Sequence, residues 1–361
     1  MMKTLPTAVL AKFARALLAV GVALIGLETG QAAPGSASAV VSTTLGVDGA
    51  RFTLNGKPTF LLGISYYAAL GAPQEFIQRD LDAMEHDGFN WLRVWAMWDM
   101  FDHDISVVDA GGAPRAVQLD QLKWLVAECD WRHLVVDVTL ARGVGGVSTY
   151  AAHRRAVEVV VHALKPHRNW YIDLANERDV RDARYVPVSE LKNLCAQVHR
   201  LDPGRLVTAS FGGHDVSKKD LRAALLTIRL DFVTPHRPRN AASPARTEAY
   251  TRASLAIMRE LGRVAPVHYQ EPFRRGYGRW TPVAADFLTD LRGARAGGAA
   301  GWCFHNGAQR GARDKRPRRS FDMRRQRLFD QLDSEERKVV AAVASAVASD
   351  EKSNGAKPPE S

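Results

Sequence analysis

An α/β chain folded as a (β/α)₈ (TIM) barrel is the architecture this sequence predicts, on three observations. Short apolar runs rich in β-branched residues recur along the chain, amphipathic stretches of helical period separate them, and the runs number eight. Each of these can be read directly from the residues.

The eight runs are FLLGISYY from Phe60, NWLRVW from Asn90, HLVVDVTL from His133, NWYIDLANE from Asn169, RLVTAS from Arg205, DFVTPH from Asp231, PVHYQEP from Pro266 and GWCFHNG from Gly301. They are near-continuous in apolar character, as strands covered on both faces by crossover helices are. Between them lie helical patterns. In EFIQRDLDAMEHDG, Phe76, Leu81 and Met84 are expected on one face, with Gly88 as the stop. In SELKNLCAQVHRLDPG, Ser189 is the expected N-cap and Leu191, Leu194, Val198 and Leu201 the apolar side; SLAIMRELG closes at Gly262. No glycine-rich phosphate loop follows the first strand, which argues against a doubly wound nucleotide-binding sheet. Ahead of the barrel, LGVDGARFTLNGKP carries two turn signals, Asp48-Gly49 and Asn55-Gly56, and predicts a short hairpin closing the barrel bottom.

The chain is 361 residues long, 46% hydrophobic and 24% charged, which suits a globular barrel of residues 40–349. Residues 1–39 read as a signal peptide and linker. Lys3, Lys12 and Arg15 precede an apolar run from Ala16 to Leu27, and small residues follow, with cleavage expected after Ala32, Ala33 or Ala39. That run falls short of the about 20 residues of a bilayer span, so export to a secreted or periplasmic location is expected over an uncleaved anchor. Residues 350–361 read as a disordered tail. Cys129, Cys195 and Cys303 are too few and scattered for a disulfide framework or zinc site and read as small buried hydrophobes.

The net charge of +10 owes much to one arginine-rich loop at 310–327, containing Arg310, Arg313, Lys315, Arg316, Arg318, Arg319, Arg324, Arg325 and Arg327. The loop is either solvated surface or a contact for a polyanion. Phe321 is the only aromatic residue among its basic ones, so no base-stacking platform and no nucleic-acid partner are expected.

In barrel enzymes the chemistry sits at the C-terminal ends of the strands. The fourth strand ends in Asn176-Glu177 and the seventh in Glu271-Pro272; the second carries Arg93 and runs into Trp95 and Trp98. The sixth ends in His236, and the eighth contains Trp302, His305 and Asn306. Two carboxylates facing each other across a barrel mouth are what glycoside hydrolysis requires, one protonated to assist the leaving oxygen and one ionised. The first strand lacks a His-x-His pair and no Gly-x-Ser-x-Gly elbow occurs, so neither metal nor serine chemistry is expected, and no cofactor.

Asn176-Glu177 with Glu271, the opening FTLNGKPTFLLGISYY and the segment GFNWLRVW together resemble clan A of the glycoside hydrolases, and within it the cellulase-like family 5, from Phe52 to Asn306. The resemblance implies a retaining β-glycosidase acting on a poly- or oligosaccharide. It implies Glu177 as acid/base, Glu271 as nucleophile and Asn176 as the ligand of the sugar 2-hydroxyl. Arg93 would support the nucleophile, Trp302 would form the aromatic floor, and Trp95 and His236 would line the site. Two features depart from the family pattern: the third strand ends VVDVTLARG without a histidine, and His236-Arg237-Pro238 stands where a His-x-Tyr pair is usual. The tyrosine that hydrogen-bonds the nucleophile in the family is then not in its expected place, and Tyr269, or Tyr66 and Tyr67 on the first strand, could substitute for it.

Structural alternatives accompany each residue. Glu177 could pair with Arg178, Glu271 with Arg274 or Arg275, Arg93 with Asp99 or Asp102, and the tryptophans could fill core. Asp173 reads as a barrel-interior hydrogen-bonding group. The competing readings of the whole chain are a non-catalytic carbohydrate-binding barrel and a basic scaffold binding a polyanion.

Overall fold

The computed structural model describes residues 42–100, 103–307 and 318–354. The expected signal peptide and linker and residues 310–317 of the arginine-rich loop lie outside the described residues. The chain opens with an antiparallel meander of β1 (Leu45–Asp48), β2 (Arg51–Leu54) and β3 (Lys57–Thr59). Its second turn is the two-residue Asn55-Gly56 loop, in which both residues have positive φ (50° and 77°), as a primed hairpin turn demands.

The barrel strands follow: β4 (Leu61–Ser65) and β5 (Trp91–Trp95), then a small hairpin of β6 (Asp99–Met100) and β7 (His103–Asp104), then β8 (Val135–Thr139), β9 (Trp170–Asp173), β10 (Val207–Thr208), β11 (Phe211–Gly213), β12 (Pro235–His236), β13 (His268–Tyr269) and β14 (Gly301–Phe304). A seven-stranded parallel sheet runs β10-β9-β8-β5-β4-β14-β13. The fifth strand is broken into β10 and β11; β11 pairs with β12, and a Val233–Val267 bridge joins that sixth segment to the seventh, completing the ring. All eight predicted runs are thus barrel strands.

Helices α1 (Gln74–His86), α2 (Ala116–Trp131), α3 (Tyr150–Leu164), α4 (Val188–Leu201), α5 (Lys218–Arg222), α6 (Ser243–Glu260) and α7 (Ala284–Gly297) alternate with the strands, and α8 (Leu328–Gln331) and α9 (Ser334–Asn354) follow. Three local expectations change. On α1 the buried residues are Ile77, Asp80, Leu81 and Met84, with Phe76 at the margin. Helix α4 starts two residues early, with Pro187 at the N-cap and Ser189 inside the first turn. The alanine-rich stretch of α9 carries helix to Asn354, into the segment read as a tail.

Side chains alternate across the strands, and the inward set forms layers. Leu61, Trp91, Val135, Tyr171, Phe232 and Cys303 make the lower layer, and Phe52 of the meander plugs it from below, its ring edge-on to Phe232 at 5.0 Å. The expected closure of the barrel bottom is therefore made by β2. Gly63 exists to admit Trp91: a Cβ there would lie 1.6 Å from the indole. Gly63→Ala should therefore cost about 1–3 kcal/mol by overpacking, read as a lowered unfolding midpoint; an unchanged midpoint would remove this role. The cysteines are free and buried, as expected.

Candidate active site

Above the apolar layer the barrel interior turns polar, and Arg93 organises it. Fully buried on β5, it donates from Nη1 to Glu271 Oε1 (2.7 Å) and from Nη2 to Asp173 Oδ2 (3.0 Å) and Asn176 Oδ1 (3.1 Å), while Nε faces Thr139 Oγ1 and Asp137 Oδ2, each at 3.1 Å. Burial pushes Asp137 up to about 8 against the pull of Arg93, and among the carboxylates Glu271 acts on Arg93 most strongly, ahead of Asp137 and Asp173. Asp173 also accepts from the backbone N–H groups of Ala175 and Ser210 and so shapes the end of β9. Asp99 is not a partner of Arg93 among the described residues, and Asp102 lies outside them. Arg93→Met should destabilise the barrel by about 3–5 kcal/mol, since it strands buried carboxylates without their cation; denaturant unfolding reads this, and an unaltered free energy would contradict it.

Glu177 and Glu271 are both buried, at 8% and 4% residual exposure, at the ends of the fourth and seventh strands. Glu177 has φ +49°, a left-handed conformation unusual for a side-chain-bearing residue. Its neighbours hold it there: Asn176 N–H donates to Leu140 O, Glu177 N–H to Ser210 Oγ and Arg178 N–H to Ser210 O. Glu177, Glu271 and His236 each present one ligand atom within 4.8 Å of the other two. His236 Nδ1 lies 3.5 Å from an oxygen of each glutamate.

Glu271 Oε1 also accepts from Tyr67 Oη at 2.7 Å. Tyr67 thus fills the role left open among three tyrosines: Tyr66 bonds Asp80 and Tyr269 bonds Thr251, both on the outer side of the barrel. Since Tyr67 has a single hydroxyl hydrogen, His305 Nδ1–H donates to its oxygen (3.0 Å) and His305 Nε2 accepts from Arg274 Nη1 (3.0 Å). Burial first, and then Arg274 and Arg239, hold His305 well below the usual histidine range despite Glu271, which fits this neutral tautomer.

Two arginines complete the site. Arg239 Nη2 bridges the carboxylates, 3.2 Å from Glu177 Oε1 and 2.7 Å from Glu271 Oε2, and Arg184 caps Glu177 Oε2. Burial alone would raise the pKa of Glu177; the hydrogen bond and charge from His236 and the charge of Arg239 outweigh it and hold the carboxyl at about 2. For Glu271 burial likewise opposes, and His236, His305, Arg93 and Arg239 hold it well below the usual range. Glu177, His236 and Glu271 have the donor set for a cation, yet the two carboxylate oxygens facing His236 are the ones Arg239 binds, so a metal ion would have to displace that guanidinium.

The structure therefore brings together Glu177, Glu271, Asn176, Arg93 and His236. Trp95 lies at the rim, part-exposed, packed on Tyr67 (4.7 Å) and Trp98 (4.6 Å). Trp302 is a correction. It points away from the cleft, fully buried, and donates from Nε1 to Asp290 Oδ2 on α7 at 2.7 Å. Strand alternation requires this: Cys303 and His305 take the inward positions of the eighth strand, which sends Trp302 outward. The arginines that were the alternative partners of the glutamates form no ion pair with them among the described residues. Arg178 stacks over Phe211, Arg275 pairs with Asp333 and Arg274 binds His305. Arg239 and Arg184 were missed. For Arg239 a signal existed, because Pro238 ends the sixth strand and throws the next residue over the mouth; for Arg184, in a loop of mixed charges, none did.

No protein-family model and no curated protein matches the chain. Solved structures do. An endo-1,4-beta-mannanase from Rhizomucor miehei is 14% identical with a TM-score of 0.60, over 85% of this chain and 99% of that one. A mutant glycoside hydrolase family 5 mannosidase from the same organism, in complex with mannosyl-fructose, is 15% identical with a TM-score of 0.58, over 86% and 98%. A family 5 structure from Bacteroides vulgatus is 14% identical with a TM-score of 0.57, over 74% of this chain and 62% of that one. At these identities the likeness is one of fold. The chain is a (β/α)₈ barrel that resembles those of glycoside hydrolase family 5, at a divergent distance in sequence.

Proposed function

We propose that the protein is a retaining β-glycosidase acting outside the cytoplasm on a poly- or oligosaccharide. The observation that carries this is the carboxylate pair: Glu177 and Glu271 stand at the ends of strands four and seven with oxygens within 4.8 Å of each other. That approach suits the about 5–5.5 Å carboxyl separation of double displacement rather than the about 6.5–9.5 Å of single displacement. Glu271, kept ionised by Arg93 and oriented by Tyr67, attacks the anomeric carbon, and the glycosidic C–O bond breaks as Glu177 gives its proton to the leaving oxygen. In the second step Glu177 takes a proton from water, which displaces Glu271. Asn176, fixed by Arg93, is placed to hold the 2-hydroxyl, and Trp95 offers a ring face at the rim.

This cycle needs Glu177 protonated at its start, so Arg239 and Arg184 must release it when substrate binds. The same bridge favours the second reading, a carbohydrate-binding barrel without turnover, in which the arginines stay in place. The polyanion scaffold has less support, since Arg319, Arg324 and Arg327 of the arginine-rich loop pair with Glu336, Asp322 and Asp80. Proton NMR of products from a panel of β-linked glycans tests the proposal. A first-formed β-anomer supports it, a first-formed α-anomer contradicts double displacement, and no turnover with retained binding supports the second reading.

A further inference from the structure

Arg239 has a neighbour, Arg274, that the charge of Glu271 reaches but that has no ion-pair partner among the described residues. The Arg239 and Arg274 guanidinium carbons lie 4.9 and 4.6 Å from the centroid of one ring, that of Tyr277. Arg274 also packs over Phe321, and its one hydrogen-bond partner among the described residues is the neutral ring of His305. No carboxylate forms an ion pair with it there, although Arg239, Arg93 and Arg184 all have one. The Nε–H groups of Arg239 and Arg274 are both buried without an acceptor. In this like-charged pair gathered on one ring, Arg239 is paired with the two glutamates and Arg274 with no carboxylate among the described residues, and each keeps a sequestered donor without an acceptor. Nothing in glycoside hydrolysis by two carboxylates calls for such a pair.

We propose that the cleft recognises an acidic glycan, through an anionic substituent on the sugar that Arg274 and Arg239 bind together. The inference rests on the carboxylate-pair reading and specifies its substrate class. A planar carboxylate, as on a uronic acid, matches a guanidinium fork in two parallel hydrogen bonds, and a sulfate ester supplies the same acceptors on a tetrahedral group. The anion also explains how the cleft becomes competent. Arg239 exchanges Glu177 for the substrate anion, and Glu177, once Arg184 has also released it, takes up the proton it later donates. A neutral sugar of the same size offers Arg239 no such exchange.

The test uses the full chain with aryl β-glucuronide and β-galacturonide, an aryl 6-sulfo-β-glucoside, and the neutral aryl β-glucoside and β-mannoside. The first readout is the ratio of acidic to neutral kcat/KM, and the second is binding of free glucuronate against glucose by titration NMR. An acidic preference of about tenfold or more, lowered about tenfold by Arg274→Gln and partly kept by Arg274→Lys, is expected for the loss of one charge-assisted contact. The uronide and sulfate arms identify which anion is preferred. Should Arg274→Gln fail to fold, the wild-type preference and the lysine variant still decide. Preference for neutral glycosides, with glucuronate binding no better than glucose, overturns the proposal while leaving the carboxylate pair standing. Arg274-dependent glucuronate binding without turnover of any glycoside supports the anion site and sinks the glycosidase reading instead.

Discussion

Glu271→Gln is expected to lower kcat on the order of 10⁴–10⁶-fold, the scale on which removal of a nucleophile abolishes a covalent route. The amide keeps the shape of the side chain and can still meet Tyr67 Oη and Arg93, but it cannot form the glycosyl ester. It also removes one of the charges that Arg93 and Arg239 balance. A readout of folding must therefore accompany the kinetics. If circular dichroism and the unfolding midpoint show a folded variant, the loss belongs to chemistry. A folded Glu271→Gln protein with more than about a tenth of wild-type kcat would be incompatible with a nucleophilic role.

Glu177→Gln is expected to separate substrates by their leaving groups. For a sugar leaving group, which needs its proton, the loss should be on the order of 10²–10⁴-fold. For an activated aryl leaving group the first step needs little assistance, so the loss falls on the second step, where water must be deprotonated. Burst kinetics on the activated substrate report this directly. A uniform loss across leaving groups would point to a binding role. The same residue governs acid stability. Its carboxyl is held at about 2 in the folded protein against about 4.3 in an unfolded chain. Its contribution to stability is present above the unfolded value and is lost as pH falls through the folded one. Unfolding free energy measured from pH 6 to pH 2 should therefore decline more steeply in the wild type than in Glu177→Gln. Equal slopes would mean that the arginine bridge does not form in solution.

Much of the barrel was legible in sequence because fully covered parallel strands announce themselves as apolar runs, and all eight did. The carboxylates were legible for a related reason: the mouth of a barrel is reached where a run ends, and Asn176-Glu177 and Glu271-Pro272 sit at such ends. Inward or outward direction was legible in principle but needs parity counted along each strand. Counting from Leu61 through Gly63 and Ser65 puts Tyr67 inside and Tyr66 outside, as found. Counting on the eighth strand sends Trp302 out, which an argument from residue type alone overlooks. The partners of the glutamates were hidden. Arg239 and Arg184 reach the site from loops, where neither period nor parity constrains direction, and adjacent arginines in sequence were poor guides to partners in space. Arg274 is the least readable of all, because its significance is that no carboxylate among the described residues lies within ion-pair distance of it, which only three-dimensional placement reveals.

The nucleophilic role of Glu271 can be tested most directly by trapping. The full chain is incubated with activated 2-deoxy-2-fluoro glycosides, one of them acidic, and followed by intact mass and peptide mapping. The account predicts one glycosyl unit per chain, attached through an ester to Glu271, and no labelling of Glu271→Gln. A label on Glu177, or an unlabelled protein that continues to turn over the matching glycoside, would contradict it.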